Sequence, residues 1–260
     1  MKRLGIIGGM GPAATSLLFS RVIHLTKATT DQQHLDVTIL SNPSVPDRTA
    51  CLLGKKGARD FAPLLRERAA ELQALGCEVI AMPCNTSHAR YNEIASGAPR
   101  ATFLHMPRET ASFVRSIGCT RPLLLATDGT IKSSVFKQSD PEGSLSWIYP
   151  EKSLQKNIML LIYDYLKAGQ KAPNWLMAAI ARAITASSSD CIVLGCTELS
   201  LIDFREIASM PPIIDSLEIL AWRCVVACEA NAVDLRKRYD GAPQHDEGEV
   251  KRSHAQALHC

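Results

Sequence analysis

The chain alternates between short apolar runs and longer stretches in which apolar residues recur every three or four positions. Runs of four to six apolar residues bounded by Gly, Pro or Thr are too short for helices and predict buried strands. The recurring stretches predict amphipathic helices between them. Arg3-Leu-Gly-Ile-Ile7 is the first such strand, Gly8-Gly-Met-Gly11 a tight turn, and Pro12 suits the first position of a helix to about Lys27. A second strand, Val37–Leu40, runs into Ser41-Asn-Pro-Ser-Val-Pro-Asp-Arg-Thr49, a loop rich in turn residues. A helix over about Ala58–Leu75 precedes Glu78-Val-Ile-Ala-Met-Pro-Cys-Asn-Thr86, followed by a helix from about Ser87 and a strand near Thr102–Leu104.

The second half repeats this order. A helix over about Pro107–Ile117 leads to a strand at Pro122–Ala126, the turn Thr127-Asp-Gly-Thr130, a helix to about Gln138 and a strand near Leu145–Ile148. Two helices, about Lys152–Ala168 and Asn174–Ser187, precede Asp190-Cys-Ile-Val-Leu-Gly-Cys-Thr-Glu198. This segment aligns without a gap on residues 78–86, placing Cys84 and Cys196 112 residues apart at equivalent positions. Strands alternating with helices predict an α/β fold of two similar domains, each a mainly parallel sheet flanked by helices, related by a pseudo-twofold axis with the site in the cleft between them. The expected division is 1–106 plus 211–234 and 107–210. It places the strand at Ile213–Ile214 and the helix from Leu217 to about Val233 with the first domain. Beyond Arg238 little apolar material remains, so 239–260 is expected to be a disordered tail.

Composition narrows the class. The chain has 260 residues, 46% hydrophobic and 21% charged, with a net charge of +3, as expected of an ordinary globular protein. Basic residues are mixed with acids over most of the length, which argues against a nucleic-acid surface. The absence of a signal-peptide pattern and of an 18-residue apolar run predicts a cytoplasmic protein that is not membrane-bound. Nine irregularly spaced cysteines then read as reduced thiols. Cys51, Cys77, Cys119, Cys191, Cys224, Cys228 and Cys260 are expected to be inert, and no ligand set for a metal is complete.

Cys84 and Cys196 differ from these seven in position. Each follows a strand and precedes an expected helix, whose dipole and free N–H groups would lower a thiol pKa. His88, four residues after Cys84, invites a Cys-His hydrolase reading, but a structural histidine is the better expectation. The glycine turn does not match Gly-x-Gly-x-x-Gly, yet its N–H groups could hold a carboxylate. Arg48, near the sheet's carboxyl edge, suits bidentate carboxylate recognition.

Two thiols, a glycine turn, an arginine and no cofactor motif, together with Asn42-Pro43, Pro46-Asp-Arg-Thr49, Met82-Pro-Cys-Asn-Thr86, Leu125-Ala-Thr-Asp-Gly-Thr130, Gln155-Lys156, Gly195-Cys-Thr-Glu198 and Ile214-Asp215, resemble the cofactor-independent aspartate/glutamate racemase family, its aspartate branch most closely. The resemblance spans roughly residues 3 to 230. It implies racemisation of an acidic amino acid without pyridoxal phosphate or other cofactor, aspartate before glutamate, with Cys84 and Cys196 as the catalytic acid/base thiols and a homodimeric assembly. It also implies that Arg48 and Lys156 bind substrate carboxylate, that Asn85, Thr86, Thr127, Thr130 and Thr197 line the site, and that Met10, Gly11 and Glu198 belong to the substrate-binding set. Some relatives carry Thr in place of the first Cys; here both thiols are present. Asp128 departs from the small or hydroxyl residue common at its position and could alter the substrate tolerated. The alternatives are a two-thiol enzyme on another α-carboxylate, such as a hydantoin racemase or decarboxylase, and a catalytically silent carboxylate-binding module.

Overall fold

The computed structural model describes residues 1–202, 204 and 210–239; the expected tail, apart from Tyr239, lies outside the described residues. Two parallel sheets organise the chain. The first has the order β2-β1-β3-β4, from β1 (Leu4–Gly8), β2 (Val37–Ser41), β3 (Val79–Ala81) and β4 (Thr102–Phe103). The second has the order β5-β6-β7, from β5 (Pro122–Leu125), β6 (Cys191–Leu194) and β7 (Ile213–Asp215). A parallel bridge from Leu123 to Ile148 sets the segment at Ile148 beside β5 as β2 lies beside β1. The halves are thus two similar parallel-sheet and helix units.

Placement of β7 corrects one expectation. It pairs with β6, Ile192 against Ile213 and Leu194 against Asp215, and does not rejoin the first sheet. The repeat accounts for this, since β7 stands to β6 as β4 stands to β3, and the spacing that relates the two cysteines also relates Phe103 to Asp215. The chain returns to the first unit only in α10 (Ser216–Ala227), which packs on α1 (Pro12–Leu25) and α5 (Met106–Ser116).

Period-two alternation in the buried strands sends neighbouring residues into different cores. Ile7 and Ile80 face the outer helix α3 (Ala62–Ala74), while Leu4, Ile6, Val79 and Ala81 face α1 and α10. In the second sheet Leu123, Leu125, Ile192 and Leu194 face α8 (Lys152–Leu160) and α9 (Asn174–Thr185), while Leu124, Cys191 and Val193 turn toward the same central cluster as the first sheet's inner face. The halves therefore share a core in addition to one core each. At roughly 1.5 to 3 kcal/mol for each fully buried large aliphatic side chain, this shared layer holds the two halves together.

Several predicted helices are interrupted. The helix after Cys84 is a six-residue 3-10 segment, Asn85–Arg90, followed by the short α4 (Tyr91–Ala95). That expected to reach Gln138 breaks into α6 (Asp128–Ser133) and α7 (Val135–Gln138) at Ser134, whose φ is 55°. The helix expected over Lys152–Ala168 runs as α8 and then widens into a π-helical turn, Leu161–Leu166. Among the described residues no helix is long and apolar enough to cross a membrane.

Candidate active site

Both echo segments end where parallel sheets place their ligands, beyond the carboxyl ends of the central strands. β3 delivers Cys84 and β6 delivers Cys196, and both sulfurs line one cavity of about 20 Å³ between the halves. That volume holds about one water molecule. From the first half come Met10, Asp47, Arg48, Thr49, Asn85 and Thr86; from the second, Thr127, Tyr163, Lys167, Thr197 and Glu198.

Glycines let the walls approach. Gly9 has φ +91°, and a Cβ there would lie 2.4 Å from the Asn42 backbone, so the turn after β1 can lie against the end of β2. Gly129, at the start of α6, would carry a Cβ 2.8 Å from Thr49 Cα. Its bare backbone lets the second half reach α2 (Arg48–Leu52), which carries Arg48. Asp47 caps α2, Oδ1 accepting from Ala50 N–H at 2.6 Å.

Hydroxyl groups join the halves at the cavity floor. Thr86 Oγ1 lies 2.7 Å from Thr130 Oγ1 and 3.2 Å from Thr127 Oγ1, and Thr197 Oγ1 donates to Pro83 O at 3.4 Å. Thr130 supports Thr86 from behind and does not line the cavity. Gly11 is also behind the wall, and a Cβ on it would lie 3.4 Å from Glu198 Oε1. Asn85 Nδ2 donates to Ser216 Oγ at 2.9 Å, leaving Oδ1 buried with no partner among the described residues. Arg48 spends Nη1 on Val45 O and Pro46 O, while its buried Nε–H has no hydrogen-bond partner among the described residues.

Lys156 departs from its expected place. It is exposed on α8 and does not line the cavity. The second cation is Lys167, delivered just past the π-helical turn, with Nζ 3.1 Å from Glu198 Oε1 and 5.4 Å from the centre of the Tyr163 ring. The same turn carries Tyr163, whose hydroxyl donates to Asp47 Oδ2 at 3.2 Å across the cavity mouth. The sequence reading missed Lys167, Tyr163 and Asp47. Asp47 stood within the Pro46-Asp-Arg-Thr49 motif, whereas the other two depend on a helical irregularity that periodicity does not reveal.

The electrostatics are asymmetric. Cys196 S–H donates to Glu198 Oε2 at 3.0 Å. Burial first, and then the Glu198 carboxylate, push the Cys196 thiol well above its ordinary range, and Lys167 only partly opposes them. The expected lowering by a helix dipole fails here because a three-residue 3-10 turn, Leu199–Leu201, takes the place of a helix near Cys196. Burial works against the Arg48 charge, but the Cys84 sulfur, Asp47 and Glu198 outweigh it and hold the guanidinium pKa above its usual value. Lys167 is likewise raised, with Glu198 and Cys196 outweighing burial.

Neighbouring motif residues are structural. His88 is buried, its Nε2 accepting from Met106 N–H at 3.1 Å. Its Nδ1–H therefore donates to Cys84 O at 2.9 Å and fixes the backbone under the sulfur. Asp128 Oδ1 accepts from Gln155 Nε2 at 2.7 Å, so its charge is held outside the cavity. Asp215 accepts from Arg21, Ser200 and the Leu217 N–H, anchoring α10. A Cys119, Asp190 and Cys191 cluster, with ligand atoms within 4.8 Å of one another, lies at the opposite end of β6 from Cys196.

Comparison with known proteins agrees with this arrangement. Residues 7–224 match the Asp/Glu/Hydantoin racemase family. The broad specificity amino-acid racemase RacX of Bacillus subtilis is 28% identical over 229 residues, covering 84% of this chain and 94% of the relative. The Picrophilus torridus aspartate racemase superposes with a TM-score of 0.77 at 26% identity, over 92% of this chain and all of that one. Glutamate racemase RacE1 of Bacillus anthracis shares the fold, with a TM-score of 0.64 at 15% identity, over 88% of this chain and 82% of that one. With two thiols converging on one cavity and a family match across most of its length, the chain belongs to the Asp/Glu/Hydantoin racemase family.

Proposed function

We propose that this protein racemises an acidic amino acid, aspartate before glutamate, by a two-thiol acid/base mechanism that needs no pyridoxal phosphate. Membership of the family supports racemase chemistry in general. The observation that carries the finer reading is that Cys84 and Cys196, one from each half, share a cavity with the cations Arg48 and Lys167. Inverting Cα requires removal of a proton from one face and delivery of another to the opposite face. When Cys196 carries its proton, held toward Glu198, Cys84 is the base. Proton abstraction by Cys84 leaves negative charge on Cα and the α-carboxylate, and Cys196 S–H reprotonates from the other side. The next turnover starts with the roles exchanged.

Arg48 Nε–H and Lys167 supply the two positive groups that a dicarboxylate requires, and the free Asn85 Oδ1 is an acceptor suited to its ammonium. Carbanion stabilisation falls to these groups in a cavity small enough to exclude bulk water. Lys167 replaces Lys156 in this assignment. A second reading, favoured by the likeness to RacX, is a wider amino-acid range that includes uncharged substrates. Pure protein incubated with each L-amino acid, followed by chiral chromatography, tests both readings. D-aspartate as the main product supports the first, comparable rates on uncharged amino acids support the second, and no D-product from any amino acid rejects both.

A further inference from the structure

The cavity holds about one water molecule, which is too little for any amino acid, so a substrate enters only after the walls separate. Three polar contacts between the halves lie on the floor: Thr86 to Thr127, Thr86 to Thr130, and Thr197 to Pro83. At the mouth, Tyr163 OH donates to Asp47 Oδ2 at 3.2 Å. Asp47 and Thr49 flank Arg48, and the Tyr163 ring carries Lys167 on its face. The same tyrosine therefore touches the strand-end loop that bears one cation and the side chain that bears the other.

We propose that Tyr163 is a positioning residue that latches the mouth: bonded to Asp47 it holds the cleft closed over both thiols with Lys167 opposite Arg48, and it releases Asp47 to admit substrate. The consequence for substrate rests on the racemase reading; the latch itself does not. Opening separates the two cations and exposes the sulfurs, and closing reassembles them around a dicarboxylate. Phe at 163 keeps the ring beneath Lys167 and removes only the hydroxyl. Ser at 47 keeps the helix cap, because serine caps well, but is too short to reach Tyr163.

The test is the rate at which iodoacetamide alkylates individual cysteines in the full-length protein without substrate, read by peptide mass spectrometry from pH 6 to 9. Tyr163→Phe and Asp47→Ser should each raise the plateau rates at Cys84 and Cys196 about two- to fivefold, the effect of one solvent-facing hydrogen bond on an opening equilibrium. The double variant should be no faster than either single one. Cys119, Cys191 and Cys224 are buried away from the mouth and should stay protected, which separates opening from loss of fold. A change in thiol acidity alone would move the pH profile sideways without raising its plateau. Unchanged plateau rates, additive effects of the two substitutions, or equal gains at the three control cysteines would overturn the latch. Should the protein racemise nothing, the labelling result still stands, so failure of the function and failure of the latch are distinguishable. With aspartate turnover present, Tyr163→Phe should raise KM by more than it lowers kcat.

Discussion

At the scale of single residues the site is an unequal pair of thiols, and the inequality arises from their neighbours. Cys196 faces Glu198, whereas the Cys84 sulfur lies beside Arg48. Cys84→Ala and Cys196→Ala should each abolish racemisation, by at least about 100-fold, because the absent sulfur is base in one direction and acid in the other. NMR of α-proton exchange in deuterium oxide checks this, with L- and D-aspartate favoured by opposite variants; near wild-type racemisation by either folded variant would refute the pair. Glu198→Gln removes the charge that disfavours the Cys196 thiolate. The alkylation profile of Cys196 should then shift to lower pH, and an unmoved profile would mean that burial alone sets its acidity. Both cysteines were legible in the sequence, because a gapless repeat of an apolar run ending in Pro-Cys or Gly-Cys constrains where a side chain emerges. Glu198 stood in the same motif, but the direction in which it shifts Cys196 was not legible, since that depends on burial and on the short turn that replaces a helix.

At the scale of elements, strands were easier to foresee than helices. Buried strands announce themselves as short apolar runs, and the strand-turn-helix order of each half derives from them. The failures lie where a helix changes geometry. A regular helix through 152–168 offers no reason to prefer one lysine over another, but the π-helical turn at Leu161–Leu166 shifts the helix register and delivers Tyr163 and Lys167 to the cavity while Lys156 stays in solvent. β7 was misplaced for a different reason: three residues carry too little pattern to choose a sheet, although the repeat itself pointed to the second. Lys167→Met should lower kcat/KM for aspartate about 10- to 100-fold, the scale of a charge-assisted contact. Lys156→Met should leave it within about twofold. Steady-state kinetics on the two variants decides between the lysines, and a larger loss at Lys156 would restore the assignment that the motif alone suggests.

At the scale of the whole molecule, the two halves are fastened by a shared core and by buried polar groups whose charge states matter for stability. His88 and His105 sit behind the Cys84 segment, ring centres 5.0 Å apart, with His88 bridging Cys84 O and Met106 N–H and His105 capping α5 through Arg108 N–H. Burial lowers the pKa of His88 from 6.5 to about 4; burial, with the neighbouring His88 and Arg108 charges, lowers that of His105 to about 3. Both are therefore neutral in the folded protein at pH 7, whereas in the unfolded chain they take up protons near pH 6.5. Between those values the unfolded state binds more protons, so stability is fully present above about pH 6.5 and falls as the pH drops toward the folded pKa values. For His88 alone a shift of this size corresponds to roughly 3 kcal/mol, a large fraction of the 5 to 15 kcal/mol typical of a domain. Urea unfolding at pH 7 and pH 4.5 should show a loss of this order. His88→Gln should be less stable at pH 7, because a shorter amide cannot serve both backbone partners equally, but its stability should fall less steeply between the two pH values. If wild type and His88→Gln lose stability in parallel over this interval, the acid sensitivity arises elsewhere, and His88 is not the group that ties the backbone of Cys84 to a neutral core.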